Sequence, residues 1–349
     1  MSVKRTVVII LVLFAGACRS QAQPQNPAAA GPDHVIAYAA DVGLARDIFV
    51  MRQDGSGEIN LTKIGGISGF DDPVWSPDGT WIAMNGSVEQ DEDDIYIIKP
   101  DGTGLFRLSD HPERDFGPVW SPAGDQIAFT TNRDDHNDQV FLVDRDGNNL
   151  LPLTKQGINA EQPAWSPDGK WIALSYEYEL VLINPETGEF KQLTQLDDGH
   201  HKYPSWSPDG TALAFIAGVE EEGGKKWPQI FLINPDGSNI RQLTNQPFQH
   251  RMPVWSPDGT RIAFKGRPDT KSAYSLWVIN SDGSSRLLLS EMLSLDYPPS
   301  WSPDSSQLTF AAAVEGRTDQ DIFLINADGT DLIRLTDSEK TEAFPDWRP

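Results

Sequence analysis

One cysteine stands in 349 residues, so no internal disulfide can brace the chain and packing alone must hold it. Positive charge is scarce as well. Lys and Arg number 28 against 51 Asp and Glu, a formal net charge of −23. That balance excludes a basic footprint for nucleic acid and would repel the folded part from an anionic membrane surface. It describes a hydrated surface rather than an acidic active site. Catalytic signatures are also missing: there is no Gly-x-Ser-x-Gly elbow, His-Glu-x-x-His helix, Walker loop or dinucleotide glycine fingerprint. Long apolar runs are absent except for one at the amino terminus.

That run, Val7 to Ala17, follows Lys4 and Arg5 and is short for a bilayer span but right for the apolar region of a signal peptide. Ala15-Gly16-Ala17-Cys18 resembles a bacterial lipobox, with Ala15 where Leu is usual. The resemblance implies lipidation of Cys18; a plain signal peptide cleaved near Ala17 or Ala22 is the alternative. Gln21 to Asp33 is a Pro/Ala/Gln segment without apolar periodicity and reads as a flexible tether. The expected organisation is a signal peptide over 1–17, a lipidated cysteine and tether over 18–33, and a folded unit over 34–349. The expected location is outside the cytoplasm, membrane-anchored and facing the periplasm or the cell exterior.

What the sequence has in quantity is one phrase. Trp-Ser-Pro recurs at Trp75, Trp120, Trp165, Trp206, Trp255 and Trp301, usually continuing as Asp-Gly, and ends as Trp347-Arg-Pro349. Successive tryptophans are 45, 45, 41, 49, 46 and 46 residues apart, a period that marks a propeller or solenoid. Within each repeat an extended stretch ends at the tryptophan and a Ser-Pro-Asp-Gly turn follows. Then come an Ile-Ala-Phe-like strand, a variable loop and an apolar strand such as Ile230-Phe-Leu-Ile233. An Asn-x-Asp-Gly turn leads to a fourth strand. Four short antiparallel strands make one propeller blade. The third strands are apolar without alternation, as sheets covered on both faces require, and the tryptophans read as wedges between blades.

Seven second strands and seven third strands predict an all-β, seven-bladed propeller. The first set, beginning at Ile36, lacks a preceding Trp-Ser-Pro strand. Phe344 to Trp347 is therefore expected to supply the innermost strand of the first blade and close the ring. Ala123 leaves Gly124 in place, so that turn should survive. Ser305 replaces the turn glycine, and a distorted turn is expected there.

These residues resemble the WD40-like (PD40) repeat of the TolB propeller family, and similar blades occur in prolyl oligopeptidases and oligogalacturonate lyases. The resemblance spans roughly residues 34–349. It implies a non-catalytic protein-binding scaffold of the cell envelope, partnered by an envelope or peptidoglycan-associated protein. The alternative it implies is a metal-assisted polysaccharide lyase; a small-molecule sensor or solute-binding module is a third reading. The protein is expected to be a monomer that meets the membrane only through its lipid. No resident cofactor is expected, and a divalent metal is the one kind left open.

Strand direction puts the uniform Ser-Pro-Asp-Gly and Asn-x-Asp-Gly turns on one face of the disc and the variable loops on the other. Asp72, Asp115, Glu161, His201, Arg251, Asp296 and Glu342 are expected around the channel mouth on the loop face. Asp197, Asp198, His200, His201 and His250 are the metal candidates, because they mix carboxylate and imidazole.

Overall fold

The computed structural model describes residues 34–349 except 64–66, 89–92, 135–136, 196–200, 221–223, 225, 270–271, 295–296, 314–316 and 318. Cys18, Asp197, Asp198, His200 and Asp296 lie outside the described residues.

Seven four-stranded antiparallel blades follow one another around a ring. Blade one takes its innermost strand from Glu342–Trp347 and its others from His34–Val42, Ala45–Arg52 and Ile59–Asn60. Blades two to six begin at Ile67, Asp115, Ala160, Lys202 and Gln249 and keep strict sequence order from the axis outward. Blade seven begins with Ser300–Trp301. A single pairing, Leu293 with Ala313, joins the edge of blade six to blade seven.

Closure is the expected one. Ile36 pairs with Trp347 and Ala40 with Glu342, so the two ends of the folded unit share one sheet. Neighbouring blades meet through apolar faces: Ile95 and Ile97 of blade two pack with Ile127, Phe129 and Val143 of blade three. The tryptophans act as wedges, and three of them carry a polar pin. Trp120, Trp206 and Trp301 each donate Nε1–H to the carbonyl of the preceding blade's Val74, Ala164 or Val254, at 3.0, 3.1 and 3.1 Å.

The tight turns are built alike. Ser76 Oγ donates to Asp78 at 2.6 Å and accepts the Trp81 amide at 2.9 Å, and the Gly79 amide donates to the Ser76 carbonyl at 2.8 Å with φ +64°. Where Ala123 removes the aspartate, Asp125 takes over, accepting from Ser121 Oγ at 2.7 Å. Ser305 corrects an expectation. It adopts φ +62° and keeps the turn bond to the Ser302 carbonyl at 2.9 Å, so the turn is undistorted. Its buried hydroxyl accepts the Asp258 amide of blade six at 3.0 Å, and that tie offsets the cost of the left-handed backbone.

One recurrent feature is irregular. The residue before the proline of each innermost strand has positive φ in six blades: Asp72, Gly117, Gln162, Tyr203, Met252 and Phe344. A break in strand register falls at each of these bulges, for example between Asp71 and Val74. A non-glycine residue there carries strain, and a bulge re-aims its side chain.

Candidate functional site: the central channel and its loop-face mouth

Each innermost strand runs from the loop face, past the bulge, to its tryptophan and the tight-turn face. Residues four places before the tryptophan therefore stand near the loop-face mouth, and those at the bulge stand deeper. A cavity of about 500 Å³ lies along the axis. It is lined by Asp72 of blade two, Val254 of blade six, Pro298 of blade seven and Phe344 and Asp346 of blade one. Only the axis brings blades two and six together. Prolines and tryptophans make most of its wall, and Asp72 and Asp346 supply its charge.

That setting shifts both acids. Burial pushes the Asp72 carboxyl up to about 7, with help from the charges of Asp71 and Asp346 and against the pull of Arg114. Burial likewise raises Asp346 to about 6, although the amides of Trp75 and Trp347 and the Ser300 hydroxyl donate to it.

The mouth above carries charge of both signs. Arg46 reaches Asp41 at 3.1 Å and Asp71 at 3.7 Å, and Asn85 Nδ2 donates to Asp71 at 3.0 Å. Arg114 donates to Asp93 at 2.8 Å, and Lys202 pairs with Glu161 across the boundary of blades four and five. Arg251 lies over the Tyr274 ring. Burial raises the Asp71 carboxyl; it also raises Asp138, with Glu161 adding to the shift and Lys202 and Arg114 opposing it.

The residues singled out from sequence divide between two places. Asp72, Glu161 and Arg251 are half-buried on the innermost strands at the channel. Asp115, His201, His250 and Glu342 stand five places before their tryptophans and are buried between blades. Asp115 pairs with Arg133 at 2.7 Å. His201 Nδ1 is 2.9 Å from both Thr194 Oγ1 and Glu179. His250 Nδ1 is 3.1 Å from Thr244 Oγ1 and 3.2 Å from Gln229, and burial pushes its pKa down to about 3, with the Arg286 charge adding to the effect. Glu342 accepts from Ser338 Oγ at 2.7 Å.

These contacts form a repeated clasp. A Ser or Thr after the outermost strand accepts an amide of the third strand, as in Thr62 with Ile48, Ser109 with Ile95, Thr154 with Val140 and Thr336 with Ile322. His201 and His250 join the next blade to that hydroxyl on Thr194 and Thr244. The two histidines thus serve separate interblade seams, and no group of three or more His, Cys, Asp or Glu among the described residues could hold a metal ion. Arg114 was not foreseen at the mouth. The Leu-Ser/Thr pair, repeating 14 residues after each third-strand amide, was the available signal for the clasp.

A sequence model described as the TolB beta propeller domain (PD40) matches residues 68–257. The chain belongs to the TolB β-propeller family. Among solved structures it is similar to TolB from Acinetobacter baumannii, at 20% identity over 91% of this chain and 83% of that one, with a TM-score of 0.58. An oligogalacturonate lyase from Vibrio parahaemolyticus aligns over 86% and 84% at 15% identity and TM-score 0.63. The β-propeller domain of the trilobed protease from Pyrococcus furiosus aligns over 90% and 96% at 11% identity and TM-score 0.66. At these identities the likeness is one of fold. No curated protein sequence matches the chain.

Proposed function

We propose that this TolB-like propeller is a non-catalytic scaffold of the cell envelope, tethered by a lipid on Cys18, that binds a protein partner with its loop face. The observation that carries the reading is the channel mouth. Arg46, Arg114, Lys202 and Arg251 alternate there with Asp71, Asp93, Asp138 and Glu161 on strands and links fixed by the blades. Opposite charges on a rigid rim favour orientation and partner choice more than raw affinity. Membership of the TolB family supports a protein partner, and the lipobox-like Ala15-Gly16-Ala17-Cys18 supports the anchor.

The test is site-specific photocrosslinking in intact envelopes, with the probe at Arg114 or Arg251 and, as control, at Asp236 on the tight-turn face. One discrete protein adduct from the mouth positions alone is expected. Equal labelling from both faces, or none, would remove the reading. Metabolic labelling with a fatty acid should mark the wild type and not Cys18→Ser.

A further inference from the structure

The cavity on the axis occupies the tight-turn half of the channel. Asp72 and Phe344 stand at its inner end, at the bulges, and Trp255, Pro257 and Pro303 stand toward the tight-turn opening. Its volume of about 500 Å³ is within the range of small-molecule sites. Packing does not close this wall. Pro257 and Pro303 are exposed, and Val74, Val254, Trp255 and Phe344 are half-buried, so apolar surface remains open to the space.

One group in that wall lacks a partner. Of the six bulge residues at positive φ, Asp72 alone carries a carboxylate. Among the described residues none donates a hydrogen bond to it. The charges of Asp71, Asp346 and Arg114 reach it, but Arg114 already donates to Asp93. Asp346 differs, because the Trp75 and Trp347 amides and the Ser300 hydroxyl hold it, and it contributes only its field. An ionised carboxylate without donors in apolar surroundings is costly. Its φ of +53° adds strain of the kind that clusters at ligand sites. The tight-turn face supplies more field of the same sign. Hydrogen bonds from Ser166, Ser207 and Ser302 hold Asp168, Asp209 and Asp304 below the usual carboxylate range, so all three stay ionised. Carboxylates around a cleft with apolar walls concentrate cations in it.

We infer that the tight-turn half of the axial channel binds a primary ammonium ion carried on a compact apolar body, with Asp72 as its acceptor. The site is independent of the loop-face reading above. An ammonium brings three donors to a carboxylate that has none. The apolar body lies against Val74, Val254, Trp255 and Phe344, and the two rings attract the cation through their faces. One open carboxylate among prolines and aromatics lacks the oxygen ligands that a hard divalent ion needs.

The experiment titrates cyclohexylmethylamine into the purified protein by calorimetry and ligand-observed magnetic resonance. At pH 8 it should bind at least about tenfold more tightly than cyclohexylmethanol, which has the body without the charge. Lowering the pH to 5.5 should weaken the amine about tenfold or more, because Asp72 takes up a proton near pH 7. Asp346, titrating near 6, weakens the field further, while Arg114 keeps its charge. Asp72→Asn should weaken binding at pH 8 at least about tenfold and flatten the pH profile to less than about threefold. Asp71→Asn, next in sequence but bonded to Asn85 and Arg46 at the loop-face mouth, should change affinity by less than about threefold. The pH profile of the wild type needs no variant to fold. No binding of the amine, equal binding of the alcohol, or an affinity that neither pH nor Asp72→Asn alters overturns the assignment.

Discussion

The carboxylate of Asp346 accepts the main-chain N–H of Trp75 at 2.9 Å, from a position 271 residues away in sequence. The same side chain accepts Ser300 Oγ at 3.0 Å. One residue near the carboxyl terminus thus ties blade one to blade two on one side and to blade seven on the other, where the ring is closed by pairing rather than by chain continuity. Deleting residues 344–349 removes this tie together with the Ile36–Trp347 pairing. The melting temperature should fall by about 10 °C or more, read by circular dichroism. An unchanged melting curve would show that the ring does not depend on this seam.

Asp72 and Asp346 give stability a pH dependence of unusual sign. Both have unfolded values near 3.8 and folded values of about 7 and 6. Between those limits the folded chain holds more protons than the unfolded one, so their contribution falls as pH rises from about 4 to 7 and is lowest above 7. Asp72→Asn keeps the shape and tolerates the left-handed backbone. It should stabilise the protein by about 2 kcal/mol at pH 8, allowing for channel water, and by almost nothing at pH 4. Thermal melts at the two pH values decide it; an equal effect at both would sink the argument.

Backbone strain at the bulges can be weighed at Gly117. It sits at φ +64°, and an added Cβ would meet nothing within 4 Å. Any cost of Gly117→Ala is therefore conformational, about 1 kcal/mol. Gly117→Asn should cost less than alanine, because asparagine enters this region more readily. Denaturant unfolding should rank the three as Gly, Asn, Ala; the reverse order would mean that strain is not the controlling factor.

His201→Ala tests the clasp against the metal reading. Removing the ring leaves Thr194 and Glu179 short of a buried partner, at about 1–3 kcal/mol. The melting temperature should drop while the metal content of the purified protein stays as in the wild type. Stoichiometric manganese, zinc or calcium that disappears with His201 or His250 would instead favour the lyase-like alternative.

The blades were legible because their signals are local and repeated. The tryptophan period, the Ser-Pro-Asp-Gly turns and the lone half-copy at Trp347 fix both strand order and closure. Ser305 was misread because its compensation is distant: the Asp258 amide belongs to the neighbouring blade. The site was less legible for a similar reason. Around the mouth, Arg114 and Asp115 are adjacent in sequence, yet one stands at the rim and the other is buried against Arg133. Alternation separates that pair, and the bulge at Gly117 then breaks the register before Val119, so the count back from the tryptophan does not by itself tell which residues face the channel. The histidines were grouped by residue type and loop position, while their partners, Thr194 and Thr244, lie in a repeat of conventional-looking strand ends.

Closure by the last strand also imposes an order of assembly. His34–Val42 is among the earliest parts of the propeller to be synthesised, yet its inner edge is paired only by Glu342–Trp347. Until those residues leave the ribosome, that strand presents free amides and carbonyls to any passing chain. Blade one is the first to be made and the last to be finished.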